Sequence, residues 1–139
     1  ELGGISNAGN NLAVNYTIRG ISSISGGLPD SNLVNRPDAV PVIFFHGTED
    51  ETIPLESGYF SSCTNYSPLS GSLSLYRVLS GNKIPSVLHL LPGAGHGRDG
   101  DSGFTDEFKM SNTACFFHSL MRKELPPSGI YTGVENSCR

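Results

Sequence analysis

No block of lysine or arginine appears anywhere in these 139 residues, and charged residues make up only 16% of them. The formal net charge is −4. Nucleic-acid binding needs clustered basic charge, so that class of function is set aside. Long apolar runs are missing as well. The longest, Val40 to Phe45, contains a proline and is the length of a strand, so no membrane-spanning segment is expected. No C-x-x-C or similar metal-ligand spacing joins the three cysteines, Cys63, Cys115 and Cys138. Their odd number fits either idle thiols or one internal disulfide plus a cysteine paired outside the chain. The opening Glu1-Leu-Gly-Gly does not read as a signal peptide. A mature secreted protein would have lost its signal, so compartment stays open on this point. Two sequons, at Asn15 and Asn65, are too common by chance to add anything.

What is present is a hydrophobic fraction of 37%, enough for a folded core, together with 17 glycines and much serine. The chain fits one loop-rich domain. Ile18 to Ser25, closed by Gly26-Gly27, reads as a short buried strand. Val40 to Phe45 and Val87 to Leu91 are continuous rather than alternating apolar runs, the pattern of parallel strands covered on both faces. Between them Ser67-Pro68 offers a helix start, Leu75, Tyr76 and Leu79 a stripe, and Gly81-Asn82 a stop. A last helix is capped by Thr105, with Asp106 and Glu107 at its positive end. Met110, Ala114, Phe117 and Met121 form its expected apolar stripe, widened by Phe116 and Leu120, and Pro126-Pro127 stops it. Residues 128–139 read as a tail. Strand, strand, helix, strand, helix predicts an α/β fold with helical crossovers. Three strands make a thin sheet, so further strands contributed by residues before Glu1 are expected.

Catalytic groups in such sheets gather at the carboxyl ends of the strands. Two of these ends carry ionisable residues in glycine-rich turns. His46-Gly-Thr-Glu-Asp50-Glu-Thr-Ile-Pro54 follows the second strand, and Pro92-Gly-Ala-Gly-His96-Gly97 follows the third. A carboxylate and an imidazole would thus be delivered side by side, the Asp fixing the His tautomer and leaving one ring nitrogen as a general base. An isolated Asp in such a turn is usually only a turn residue, and a His between glycines can be a mobile surface group. His46, directly after its strand, suits ordering the acid loop better than catalysis. His89 and His118, inside a strand and a helix, read as structural, and Asp99 and Asp101 as a solvated loop.

The string from Val42 to Pro54 resembles the acid-bearing loop of α/β-hydrolases, His-Gly-x-x-Asp-x-x-Val/Ile-Pro, and places Asp50 at the triad acid ahead of Glu49 and Glu51. Gly-Ala-Gly-His96-Gly resembles that family's loop for the catalytic His, before the last helix. The likeness covers roughly residues 40–123. Within the fold it is nearest to the secreted carboxylesterases of the polyhydroxybutyrate-depolymerase, feruloyl-esterase and acetyl-xylan-esterase group. Leu2 to Asn10 also resembles a loop after the nucleophile helix in some bacterial relatives. The resemblance implies that residues 1–139 are the C-terminal portion of a single α/β-hydrolase domain, secreted or periplasmic. Asp50 and His96 would be its catalytic residues, with no cofactor and no metal. Its partners would be a small-molecule or polysaccharide-linked ester and the N-terminal part of the same domain, possibly as a separate chain, with neither nucleic acid nor membrane. The same likeness, with the last helix packed near the acid loop, suggests a Cys63–Cys115 disulfide.

The nucleophile is the missing part. A serine elbow, G-x-S-x-G, needs a strand before it and a helix after it. Ser6, in Gly4-Ile-Ser-Asn-Ala8, has only three residues before its motif, and Ser25 lacks the preceding glycine. No stretch offers an oxyanion hole. Two functions therefore follow: part of an esterase whose serine lies elsewhere, or a non-catalytic α/β-hydrolase-like module for assembly, adhesion or binding.

Overall fold

Val42 to Phe45 carry no charge and alternate between two apolar layers, so the run can only be stable with both faces covered. In the computed structural model, which describes residues 17–97, 103–126 and 128–137, these residues open the central strand β3 (Val42–Gly47), buried along its whole length. On one side it pairs in parallel with β1 (Ile21–Ile24), on the other with β6 (Ser86–Leu91). A fourth parallel strand, β7 (Gly129–Thr132), extends β6, giving the order β1-β3-β6-β7. The chain is α/β with a parallel four-stranded sheet flanked by helices. The tail expected after Pro127 thus contains a strand. Its four residues, starting at Gly129 with φ +153°, are too few to carry a readable alternation. The first strand is also shorter than the expected Ile18 to Ser25.

Each face of β3 has its own layer. Val42 and Phe44 join Leu88 against Leu75 and Leu79 of α1 (Ser72–Gly81). Ile43, Phe45 and Val87 pack on Phe116 of α2 (Asp106–Met121), with Phe104, Phe108 and Leu120 around them. Helix α1 starts later than Ser67-Pro68 suggested. Pro68–Gly71 instead form β5, which joins β2 (Gly27–Leu28) and β4 (Ser57–Tyr59) in a small antiparallel sheet. Gly71 ends that strand where a Cβ would overlap the carbonyls of Pro54 and Leu55, so the chain turns into the helix only after it.

Helix α2 is rotated from the expected stripe. Its buried positions are Asn112 and Phe116, while Met110 and Met121 are 69% and 72% exposed. The aromatic layer sets that rotation. Phe45 stacks on His89 at 5.1 Å, and Phe108 meets His89 edge-on at the same separation. Asn112 is drawn in by polar partners, accepting from the Ser137 amide at 3.0 Å and its hydroxyl at 3.1 Å. Cys115 is engaged in a disulfide and Cys63 is a free thiol, so the Cys63–Cys115 bridge is not formed. Cys63 sits on an irregular loop after a 3-10 turn, and Cys115 on the flank of α2 towards Tyr131 and Ser137. The remaining cysteine, Cys138, lies outside the described residues.

The Ser137 hydroxyl has a single hydrogen, and Asn112 Oδ1 can only accept it. His89 Nε2–H must therefore donate to Ser137 Oγ at 3.0 Å, leaving Nδ1 as a lone pair with no partner among the described residues. Burial alone lowers the His89 pKa to about 4. Protonation would place an N–H in the aromatic layer with nothing to accept it. The folded state thus resists protonation of a group that titrates near 6.5 when unfolded. Stability should be complete above pH 6.5 and fall as pH drops to about 4, a loss of about 3 kcal/mol. Urea unfolding at pH 7, 5 and 4 checks this, since His89→Phe should remove that part of the pH dependence.

Candidate functional site

Strand β3 ends on Gly47 because nothing larger fits. A Cβ there would overlap the carbonyls of Ala94 and Gly95, which lie directly over it. The turn after β6 is built to make that approach. Gly93 takes φ +73°, and its amide donates to Thr48 Oγ1 at 2.9 Å. The Glu49 amide donates to Ala94 O at 2.9 Å, and the Thr48 amide to Leu91 O at 3.0 Å. The two strand-end loops are thus bonded to each other before any side chain is considered. Gly47→Ala should push residues 94–95 off the strand end and cost roughly 1–3 kcal/mol. Chemical denaturation reads the stability loss, and the NMR signal of the His96 Nδ1 proton should disappear with it.

On this scaffold Asp50 curls back as an Asx turn. Its Oδ1 accepts the amides of Thr52 at 2.9 Å and Ile53 at 2.8 Å. Oδ2 faces His96 Nδ1 at 2.8 Å. A carboxylate only accepts, so His96 Nδ1–H is the donor and the neutral ring carries its lone pair on Nε2. Nε2 has no partner among the described residues, and the side chain is 41% exposed, whereas that of Asp50 is fully buried. Burial works against the Asp50 charge. The hydrogen bonds from Ile53, His96 and Thr52 outweigh it and hold the carboxyl below the ordinary carboxylate range. The pair is therefore a fixed anion holding one imidazole tautomer.

His46 stands behind the acid. Its Nε2 lies 3.1 Å from Ile53 O and 3.4 Å from Asp50 Oδ2, and its Nδ1 lies 2.8 Å from Ser72 Oγ. Burial disfavours the His46 cation, against the pull of the Ile53 carbonyl and Asp50, and lowers its pKa. In the neutral ring, Nε2–H donates to Ile53 O, and Nδ1 at 2.8 Å and the Gly26 carbonyl at 3.2 Å compete for the single Ser72 hydroxyl hydrogen. His46 thus closes the acid loop through its last residues, and does not face His96's open nitrogen. Ser72 and Thr48 had no signal in the sequence. Both act through partners brought close only by the fold, Ser72 from the first turn of α1 and Thr48 across the two strand ends.

The neighbouring acids part company with Asp50. Glu49 and Glu51 are exposed, as expected of residues flanking a buried one. Ser6, Asp99 and Asp101 lie outside the described residues. Ser25 follows β1 with φ +44°, its amide bonded to Phe45 O at 2.8 Å. It lines a cavity of about 10 Å³ together with Ile24, Gly47, Gly95 and Gly97. That space admits about one water molecule and no ester. A larger cleft of about 460 Å³ lies between α2 and β7, and its lining includes neither Asp50 nor His96. Among the described residues no group of three or more His, Cys, Asp or Glu is placed to hold a metal. No described helix is long and apolar enough to cross a membrane. Comparison with protein-family models, with curated proteins and with solved structures returns no match.

Proposed function

We propose that this chain is the C-terminal part of an α/β-hydrolase domain and supplies the acid and the base of a Ser-His-Asp carboxylic ester hydrolase, secreted or periplasmic. The observation that carries the reading is the 2.8 Å contact between Asp50 and His96 at the carboxyl ends of neighbouring parallel strands. In this reading the nucleophilic serine and the oxyanion hole belong to the N-terminal part of the domain, on preceding residues or on a separate chain. His96 Nε2 takes the serine proton as the oxygen attacks the ester carbonyl, and Asp50 stabilises the imidazolium. The same proton then goes to the leaving alcohol. Water, activated by Nε2 in turn, cleaves the acyl-enzyme and releases the acid. The substrate class is a carboxylic ester, free or attached to a polysaccharide.

The non-catalytic reading has one observation in its favour: the cavity beside the His96 loop has room for about one water molecule. Activity separates the two. Residues 1–139 produced alone should hydrolyse short-chain activated esters no faster than their His96→Ala variant. The protein isolated with its N-terminal part should hydrolyse them, and lose the activity with His96→Ala. An assembled protein without such activity would leave the module reading.

A further inference from the structure

We propose that His46, Ser72 and the Gly26 carbonyl form a buried site for one proton behind Asp50, and that filling it draws Asp50 away from His96 and weakens that base. The part concerning activity rests on the hydrolase reading above; the proton site does not.

The first observation is a shortage of hydrogens. Ser72 Oγ lies 2.8 Å from His46 Nδ1, and the same hydroxyl lies 3.2 Å from Gly26 O. Ile53 O and Asp50 Oδ2 lie 3.1 and 3.4 Å from Nε2. The two carbonyls and the carboxylate can only accept. With its hydrogen on Nε2, the neutral ring leaves the single Ser72 hydrogen to serve both Nδ1 and Gly26 O. With its hydrogen on Nδ1, the Nε2 lone pair faces a carbonyl and a carboxylate. Either neutral form is one hydrogen short. The imidazolium is not. Nδ1–H then donates to Ser72, the hydroxyl turns its hydrogen to Gly26 O, and Nε2–H lies between Ile53 O and Asp50 Oδ2. His46 and Ser72 are both buried, where polar atoms are seldom left without partners, and one added proton completes the network.

The fold holds this arrangement and gives a proton a way in. The Leu73 amide donates to Leu55 O at 3.0 Å, so the first turn of α1, with Ser72, is tied to the acid loop. The small cavity beside the His96 loop, with room for about one water, also borders His46.

The surrounding charges set where the site fills. Burial opposes the cation most strongly; the Ile53 carbonyl and Asp50 favour it, and His96 beyond them opposes it. The positive end of α1 adds to the opposition. Lys109 of α2 borders the same cavity, paired with Asp106 at 2.7 Å. The balance lowers the His46 pKa, so the proton enters below the ordinary histidine range. Asp50 Oδ2, which holds His96 Nδ1–H at 2.8 Å, then shares its charge with a cation 3.4 Å away. An imidazole whose carboxylate is partly neutralised is a weaker base. His46 and Ser72 are thus positioning residues acting through Asp50, and the active form carries neither a His46 nor a His96 cation.

Nitrogen-15 NMR of the assembled protein, from pH 8 down to the onset of acid unfolding, tests the proton site. His46 should show one slowly exchanging ring proton at pH 8 and two in acid, and the His96 Nδ1 proton should move upfield in the same step. Ser72→Ala removes the acceptor for Nδ1–H, so both changes should shift to lower pH. Kinetics test the consequence. On the acid side kcat/KM falls by about tenfold per pH unit when His96 alone titrates, and by up to about a hundredfold when His46 titrates with it. The natural protein should show the steeper fall and Ser72→Ala the shallower one over the same range. A His46 that keeps one ring proton down to acid unfolding overturns the proposal without any variant. So does a His96 signal that ignores the His46 step, or a steepness that Ser72→Ala leaves unchanged. Both NMR steps in a protein that hydrolyses no ester at any pH would support the proton site and overturn the hydrolase reading instead.

Discussion

Replacing His96 by alanine in the assembled protein should reduce ester hydrolysis by about a millionfold, the size of effect seen when the base of a serine protease is removed. The reason is chemical. A serine hydroxyl is a poor nucleophile until its proton has somewhere to go, and the unpartnered Nε2 of His96 is the acceptor that the site offers. The loss should appear in kcat, and the fold should be unaffected. The imidazole contributes no burial to the core, and its single bond is to a carboxylate that keeps two backbone donors without it. Kinetics and an unfolding curve on the same variant separate these outcomes.

Asp50→Asn should cost roughly ten-thousandfold, by a different route. Oδ1 of Asp50 accepts two backbone amides, so an asparagine must place its oxygen there and its NH₂ where Oδ2 now stands. That NH₂ then faces His96 Nδ1 at about the present 2.8 Å and turns it into an acceptor. The imidazole proton moves to Nε2, where it blocks the serine. The same NH₂ also confronts His46 Nε2–H, now 3.4 Å from the carboxylate. Some stability should be lost with the activity. Measuring kcat against pH for the variant checks the tautomer argument, because no pH should restore the rate while the ring stays neutral.

Much of this site was legible in the sequence, for a definable reason. Asp50 and His96 each follow a continuous apolar run, and such runs become neighbouring parallel strands whose carboxyl ends share one edge. Geometry at those ends then needs only short glycine turns, which are visible as Gly47 and Gly93-Ala-Gly95. The interior of β3 and β6 and the helices α1 and α2 were readable on the same grounds. What escaped depends on partners distant in the chain. Strand β7 has four residues and no pattern of its own, and exists because β6 offers it an edge. Strand β5 overrides a good helix start because two other short strands pair with it. The face of α2 was misjudged because Asn112, a polar residue, is buried by a bond to Ser137. Meanwhile Met110 and Met121 obey the helical period but have no neighbour within the described residues to cover them. The disulfide expectation failed for a similar reason: proximity of an acid loop to the last helix does not place Cys63 next to Cys115.

The central claim is that His96, held by Asp50, activates a serine lying outside residues 1–139. Fluorophosphonate labelling of the naturally assembled protein, followed by digestion and mass mapping of the modified serine, tests it most directly. The account predicts one rapidly labelled serine, outside those residues, whose labelling is abolished by His96→Ala. Absence of labelling, or labelling at unchanged rate in the His96→Ala protein, would contradict it.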